Sequence, residues 1–192
     1  SILHFVRRAR PNGAHDDEHL PMLLHALFFS RWCNRDSTLD SIEAAATFLS
    51  GGASTAREVL EHVHNPPWDN VAAYPVGPVL WRGATFQRLE AATALFSDPA
   101  CLEFLAQVIR ESRGSVLEAT AAINEVFQME NDFPIFMAVM DVAWFRPDLI
   151  DPASEVPVGI GAIPFLRLLG SELGAELSHG QIFARMIALQ PT

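Results

Sequence analysis

The segment Phe133–Leu149, FPIFMAVMDVAWFRPDL, constrains the fold more than any other part of the chain. Eight apolar residues precede Asp141, and four apolar residues follow it. Pro134 suits the first turn of a helix, and Pro147 ends it, because a residue before proline avoids helical geometry. A helix that is apolar almost all round is buried in a protein core. We therefore predict a buried helix that carries one carboxylate.

The carboxylate of Asp141 needs a partner from outside its own helix. Burying an ionised carboxylate costs several kcal/mol unless a partner compensates it. None of the residues one helical turn away can do so: Met137, Ala138, Trp144 and Phe145. An arginine from another segment is the expected partner. Two interpretations stay open at this point, a structural ion pair and a catalytic carboxylate.

Helical patterns dominate the rest of the chain. Apolar residues repeat at helical spacing from Leu20, and Asp98-Pro99 and Ser115 each resemble a helix start. Signals for strands are weak, because the one extended segment, YPVGPVLW, contains two prolines. Hydrophobic residues make up 49% of the 192, which is enough for a sizeable core. We predict an all-α fold in which residues 1–192 form a single helical domain.

The charge of the chain argues against unspecific binding to nucleic acid. The formal net charge is −10, and all 13 basic residues are arginines, since the sequence contains no lysine. Proteins that bind nucleic acid without specificity are basic overall. Residues 1–35 nevertheless carry five arginines against three acidic residues, a net charge of +2. This local excess permits a limited contact with phosphate, for which the planar guanidinium is well suited.

The segment RWCNRD, Arg31–Asp36, is unusually polar for the end of an apolar helix. Arg31 and Arg35 are four residues apart, so we expect them to share a helix face, where an anion between them would offset their repulsion. Asn34 and Asp36 add hydrogen-bonding groups. The alternative is a solvated helix end whose arginines interact with the helix dipole.

Three other patterns have an ordinary interpretation as well as a functional one. The run HDDEH, His15–His19, formally fits a zinc-binding pattern, but acidic residues at a helix start are explained by the dipole. Gly159 and Gly161 precede a predicted helix and could hold phosphate on backbone N–H groups, or form a plain loop. Cys33 and Cys101 lack metal or redox spacing and suit a core in a reducing cytoplasm.

Four segments, in this order, resemble the alpha-glutamyl/putrescinyl-thymine pyrophosphorylases, the amino acid:DNA transferases of bacteriophage thymine hypermodification. The similar segments are HDDEHLPMLLHALFFSRWCNRDST, DNVAAYPVG, FPIFMAVMDVAWF and VGIGAIPFLRLL. The likeness runs through most of residues 1–175. It implies the architecture of helix-hairpin-helix DNA glycosylases, in which an aspartate on a buried helix faces an extruded base.

The resemblance implies a reaction on DNA that contains pyrophosphorylated 5-hydroxymethyluracil, with an amino acid or polyamine as the second substrate. Pyrophosphate would be replaced by the amine, in the cytoplasm (of the host, if the protein is viral), without a metal, a redox cofactor or a membrane. Asp141 takes the place of the catalytic aspartate. The substrate-binding residues it implies are Arg31, Asn34, Arg35, Asp36, Tyr74, Gly159 and Gly161.

Two other functions remain open from the sequence. A DNA glycosylase-like hydrolase on the same scaffold would use water as the nucleophile and release a free base. A non-catalytic helical interaction protein would use RWCNRD as a surface patch and Asp141 in a structural ion pair.

Overall fold

The computed structural model describes residues 17–41, 68–72 and 75–155, together with 167–168, 178 and 181–182. These residues include six α-helices, one β-hairpin and two short 3-10 turns, and residues 167–168 and 181–182 are helical as well. The helices are α1 (Leu20–Cys33), α2 (Asp36–Ser41), α3 (Arg88–Thr93), α4 (Pro99–Glu111), α5 (Val116–Phe127) and α6 (Phe133–Phe145). The 3-10 turns are Asp17–His19 and Leu95–Ser97. The prediction of a mainly α-helical protein is confirmed.

The predicted starts of α4 and α5 are confirmed. The carboxylate of Asp98 accepts a hydrogen bond from the N–H of Ala100, with Pro99 at the first helical position. The hydroxyl of Ser115 accepts one from the N–H of Glu118 at 3.1 Å. Each side chain satisfies a backbone donor that the helix leaves without an internal partner.

The last three residues of the weak extended segment form one strand of a β-hairpin. Strand β1 (Val79–Trp81) pairs with the antiparallel strand β2 (Ala84–Phe86), which the sequence did not indicate. Arg82 and Gly83 form the two-residue connection with φ of 49° and 78°. Two-residue hairpins favour this positive φ because its twist matches that of the strands.

Helix α1 is the central element of the described core. Its sequence, LPMLLHALFFSRWC, is apolar on nearly every side, and it packs against α3, α4 and α6. An aromatic cluster joins it to the neighbouring elements: the ring of Phe96 lies 5.2 Å from that of Phe28 and 4.6 Å from that of Trp32. Burial of aromatic rings contributes much of the stability of such a core.

Helix α6 packs between α1 and α5, as the apolar segment predicts. Its buried side chains include Ala138, Val139 and Val142, and the helix ends at Phe145 before Pro147. Asp141 belongs to this buried surface, with 5% of its area exposed.

Within the described ranges, no single helix is both long and apolar enough to cross a membrane.

The buried His25 of α1 predicts a dependence of stability on pH. Burial lowers its pKa from 6.5 to about 4. Between these values the unfolded chain binds a proton that the folded protein does not, so stability rises with pH through this window and is lost on acidification. We expect this residue to contribute a loss on the order of 2–3 kcal/mol between pH 7 and pH 4.

Urea unfolding of wild type and His25→Gln from pH 4.5 to 7.5 measures this contribution. The variant should show a flatter dependence on pH, and the difference between the two proteins cancels the titration of the other groups. Parallel curves would contradict a buried neutral His25.

Candidate active site

Arg31 and Asp141 form a bidentate ion pair between α1 and α6. Nε of Arg31 donates to Oδ2 of Asp141 at 2.6 Å, and Nη2 donates to Oδ1 at 2.6 Å. The side chains are 14% and 7% exposed. The planar guanidinium matches both carboxylate oxygens at once, so the carboxylate inside the apolar helix has a strong partner.

Two opposing effects act on the acidity of Asp141. Burial raises the pKa of its carboxyl above the ordinary value, and the hydrogen bonds and charge of Arg31 lower it, with burial the larger effect. The result is a carboxyl group that is more basic than an exposed aspartate. A buried carboxylate of raised pKa, hydrogen-bonded to a single cation, is a common arrangement at functional sites.

A left-handed residue ends α1 directly after this pair. Asn34 has φ 45° and ψ 38°, and its N–H donates to the carbonyl oxygen of Ser30 at 2.7 Å. Asparagine tolerates this conformation better than most residues. The turn redirects the chain so that Arg35 lies outside α1, and α2 begins at Asp36.

This turn corrects one expectation from the sequence. Four-residue spacing predicted that Arg31 and Arg35 share a helix face, but that spacing applies only within a continuous helix. Since α1 ends at Cys33 and Asn34 is left-handed, Arg31 points to Asp141 while Arg35 lines a separate cavity.

The cavity beyond the turn is polar and open to solvent, with a volume of about 560 Å³. Its described lining residues are Asn34, Arg35, Asp36, Ser37 and Asn70. Nε of Arg35 donates to the hydroxyl of Ser37 at 3.0 Å, and no described carboxylate pairs with Arg35. A guanidinium with no acidic partner among the described residues, beside amide and hydroxyl groups, is suited to binding an anion.

A short segment, Trp68–Asn70, lies against the end of α1 and contributes Asn70 to the lining of the cavity. The N–H of Asn70 donates to the carbonyl oxygen of Cys33 at 2.9 Å, and the thiol of Cys33 donates to that of Trp68 at 3.2 Å. The same segment takes part in a second ion pair: Nε of Arg88 is 2.9 Å from Oδ2 of Asp69. Their side chains are 12% and 10% exposed.

Sequence reasoning did not identify Asn70, Ser37 or the Asp69–Arg88 pair. Asp69 and Asn70 open the segment DNVAAYPVG, so the resemblance pointed to this part of the chain without assigning those residues. No pattern pointed to Arg88, whose Nε also lies 2.9 Å from the carbonyl oxygen of Trp32 at the end of α1. Contacts of this kind depend on the folded arrangement.

The buried cysteines have no nucleophilic character. Burial raises the pKa of Cys33 to about 12 and also raises the pKa of Cys101. Both thiols are therefore protonated near neutral pH, whereas a cysteine nucleophile reacts as its thiolate.

The described residues contain five of the eight predicted site residues. Arg31 and Asp141 are in direct contact, and Asn34, Arg35 and Asp36 line the cavity. Tyr74, Gly159 and Gly161 lie outside the described residues, so their roles stay predictions. His15, the first histidine of the HDDEH run, also lies outside them. Over the described ranges, no group of three potential metal ligands occurs.

Comparison with known proteins gives no match: no family model, no curated protein and no solved structure is significantly similar to the chain.

The ion pair predicts a strong non-additivity in stability. Arg31→Met and Asp141→Leu should each lower the free energy of unfolding by about 3–5 kcal/mol, because each leaves a buried charge uncompensated. The double variant should be within about 1 kcal/mol of wild type, since two apolar side chains can replace a buried pair at little cost. Urea unfolding at pH 7 measures all four proteins.

The pair of Arg110 and Glu103 on α4 provides the matched control. Its atoms are 3.4 Å apart and its side chains are 34% and 66% exposed, so Arg110→Met should change stability by less than about 1 kcal/mol. Additive losses in the Arg31 and Asp141 variants would show that the two residues are not coupled.

Proposed function

We propose that the protein is a transferase that replaces the pyrophosphate of 5-(pyrophosphoryloxymethyl)uracil in DNA with the amine of an amino acid or polyamine. One observation carries the proposal: the buried carboxylate of Asp141 is held by Arg31 in the last turn of α1, and the residues that directly follow this helix, Asn34 and Arg35, line the polar cavity. Three of the four segments that carry the resemblance meet around this helix end.

The reaction forms one bond and breaks one. The amine nitrogen attacks the methylene carbon on C5 of the base, a C–N bond forms, and the C–O bond to pyrophosphate breaks. Pyrophosphate leaves with the electron pair of that bond. The amine loses one proton, which a carboxylate can accept. The chemistry therefore needs a base for the amine and positive charge for the leaving group.

Asp141 is proposed as the base. Its raised pKa brings it closer to the range in which a carboxylate can take the proton that the attacking amine loses, and general base catalysis contributes roughly 10²–10⁴-fold. Each carboxylate oxygen has two lone pairs, so one hydrogen bond from Arg31 to each oxygen leaves acceptor capacity. Arg31 fixes the orientation of the carboxylate and supplies positive charge near the reacting carbon.

Arg35 is proposed to bind the leaving pyrophosphate. It lines the cavity without a described acidic partner, so a phosphate oxygen can take that place. Asp36 lines the same cavity, which therefore presents both signs of charge. This combination suits an anionic leaving group and a cationic amine, and the amide of Asn34 can orient either of them.

The base must leave the DNA duplex to reach a buried carboxylate. Enzymes that act on a base extrude it into a pocket or act on single strands. The net charge of −10 implies a small phosphate footprint, so we expect a weak dependence of binding on salt.

A second candidate is a non-catalytic helical protein in which the ion pair only joins α1 to α6. Arg31 occupying both oxygens of Asp141 favours it, because a purely structural pair has the same geometry. The two functions differ in whether Asp141 affects the products formed or only stability.

Incubation of the protein with pyrophosphorylated-thymine DNA and a mixture of amino acids and polyamines tests the proposal. After digestion, mass spectrometry should show a nucleoside in which an amine replaces pyrophosphate. Asp141→Asn should lower the single-turnover rate by roughly 10²–10⁴-fold, because the amide cannot accept the proton. Release of free base would indicate a glycosylase, and unchanged masses with every amine would contradict transfer.

Binding of inorganic pyrophosphate, measured by calorimetry, tests the role of Arg35 separately. Arg35→Gln should weaken binding by about 10-fold, which corresponds to the loss of one charged hydrogen bond. Arg110→Gln, which lies on α4 and does not line the cavity, should bind like wild type. If Arg35→Gln and Arg110→Gln bound pyrophosphate equally well, Arg35 would not belong to the binding site.

A further inference from the structure

Trp144 is the exposed tryptophan of the chain. It is 69% exposed, whereas Trp32 and Trp81 are 0% and 7% exposed and Trp68 is partly buried. Its indole makes no hydrogen bond or ring contact with any described residue. Tryptophan is usually largely buried, so an indole in solvent indicates a surface that another molecule can cover.

The position of Trp144 on α6 connects it to the ion pair. It follows Asp141 by three residues, and Met137 precedes Asp141 by four, so both lie one turn away from the carboxylate. Residues at these spacings have Cβ atoms about 5–6 Å apart. Asp141 therefore lies at the border between the buried side of α6 and a partly exposed apolar stripe of Phe133, Met137, Met140 and Trp144.

A ligand at this border meets two kinds of surface. Trp144 offers a flat apolar face, and the Arg31–Asp141 pair, whose arginine is 14% exposed, offers charged hydrogen-bonding groups. An aliphatic segment would match only the first. A pyrimidine ring matches both, because it has a face that stacks and an edge that carries donors and acceptors.

We propose that Trp144 is the stacking platform for the substrate pyrimidine, which lies on the indole with its polar edge toward the Arg31–Asp141 pair. This inference rests on the proposed function and names a residue that neither the sequence patterns nor the resemblance assigned. Trp144 acts as a substrate-binding residue that selects for a planar base.

Fluorescence titration with a single-stranded oligonucleotide that has one central thymine tests the inference without any transfer step. Stacking on the exposed indole should quench the emission of wild type. Trp144→Ala should bind about 10-fold more weakly, and Trp144→Phe within about threefold of wild type, with affinity measured by anisotropy of a labelled strand. An oligonucleotide with an abasic site in place of that thymine should bind wild type and Trp144→Ala equally.

Phe133→Ala is the matched control. Phe133 is 40% exposed and lies at the other end of the same stripe, eleven residues from Trp144. Its loss should leave affinity within about twofold of wild type. An equal loss of oligonucleotide affinity in Phe133→Ala and Trp144→Ala would contradict stacking beside Asp141, because the whole apolar stripe would then contribute to binding. A concentration-dependent dimer that Trp144→Ala abolishes would also contradict it.

The outcomes separate this inference from the proposed function. Thymine-dependent quenching in a protein that transfers no amine would support Trp144 as a base platform and contradict the transferase. Transfer at the wild-type rate by Trp144→Ala, with unchanged oligonucleotide affinity, would support the transferase and overturn the platform.

Discussion

The ion pair of Arg31 and Asp141 is the interaction on which the arrangement of the site depends. It links α1 and α6, two helices whose side chains are mostly buried, at the point where α1 ends. Stability alone does not require it, because apolar side chains of similar size can replace a buried pair at little or no cost. The small net contribution of such a pair to stability is in keeping with the catalytic role proposed for Asp141.

The end of α1 determines where Arg35, the polar cavity and the neighbouring segment lie relative to this helix. The left-handed Asn34 stops the helix, turns Arg35 away from Arg31 and opens the polar cavity. Asn70 and Cys33 hold the neighbouring segment against this turn through backbone and thiol hydrogen bonds. One helix end thus presents a buried carboxylate on one side and, on the other, an arginine that lines a polar cavity. The proposed amine transfer, in which pyrophosphate leaves, needs both groups.

Much of the fold could be predicted from local sequence signals. Asp98 and Ser115 cap the helices they precede, and the apolar run around Asp141 is buried as a helix of 13 residues. The need of Asp141 for an arginine followed from the cost of burying a charge, but which arginine was not determined, because 110 residues separate it from Arg31. The sequence did not predict the β-hairpin formed by β1 and β2. The pairing of two strands depends on contacts between them, and neither strand shows it alone.

The parts of the site that escaped prediction depend on contacts between distant residues. Arg88 and Asp69 approach each other only because α3 and the segment around Asp69 both pack against the end of α1. The expected common face of Arg31 and Arg35 failed for a local reason, because one left-handed residue ends the helical repeat. The four-residue spacing rule holds only within one continuous helix, and asparagine is one of the residues that can end a helix in the left-handed conformation.

The most direct test of the account is the single-turnover rate of amine transfer by the Arg31→Met/Asp141→Leu double variant, measured beside its free energy of unfolding. If the ion pair has a catalytic role, the double variant is as stable as wild type and transfers amine at least about 100-fold more slowly, as expected for loss of a general base. A stable double variant that transfers at the wild-type rate would contradict the account.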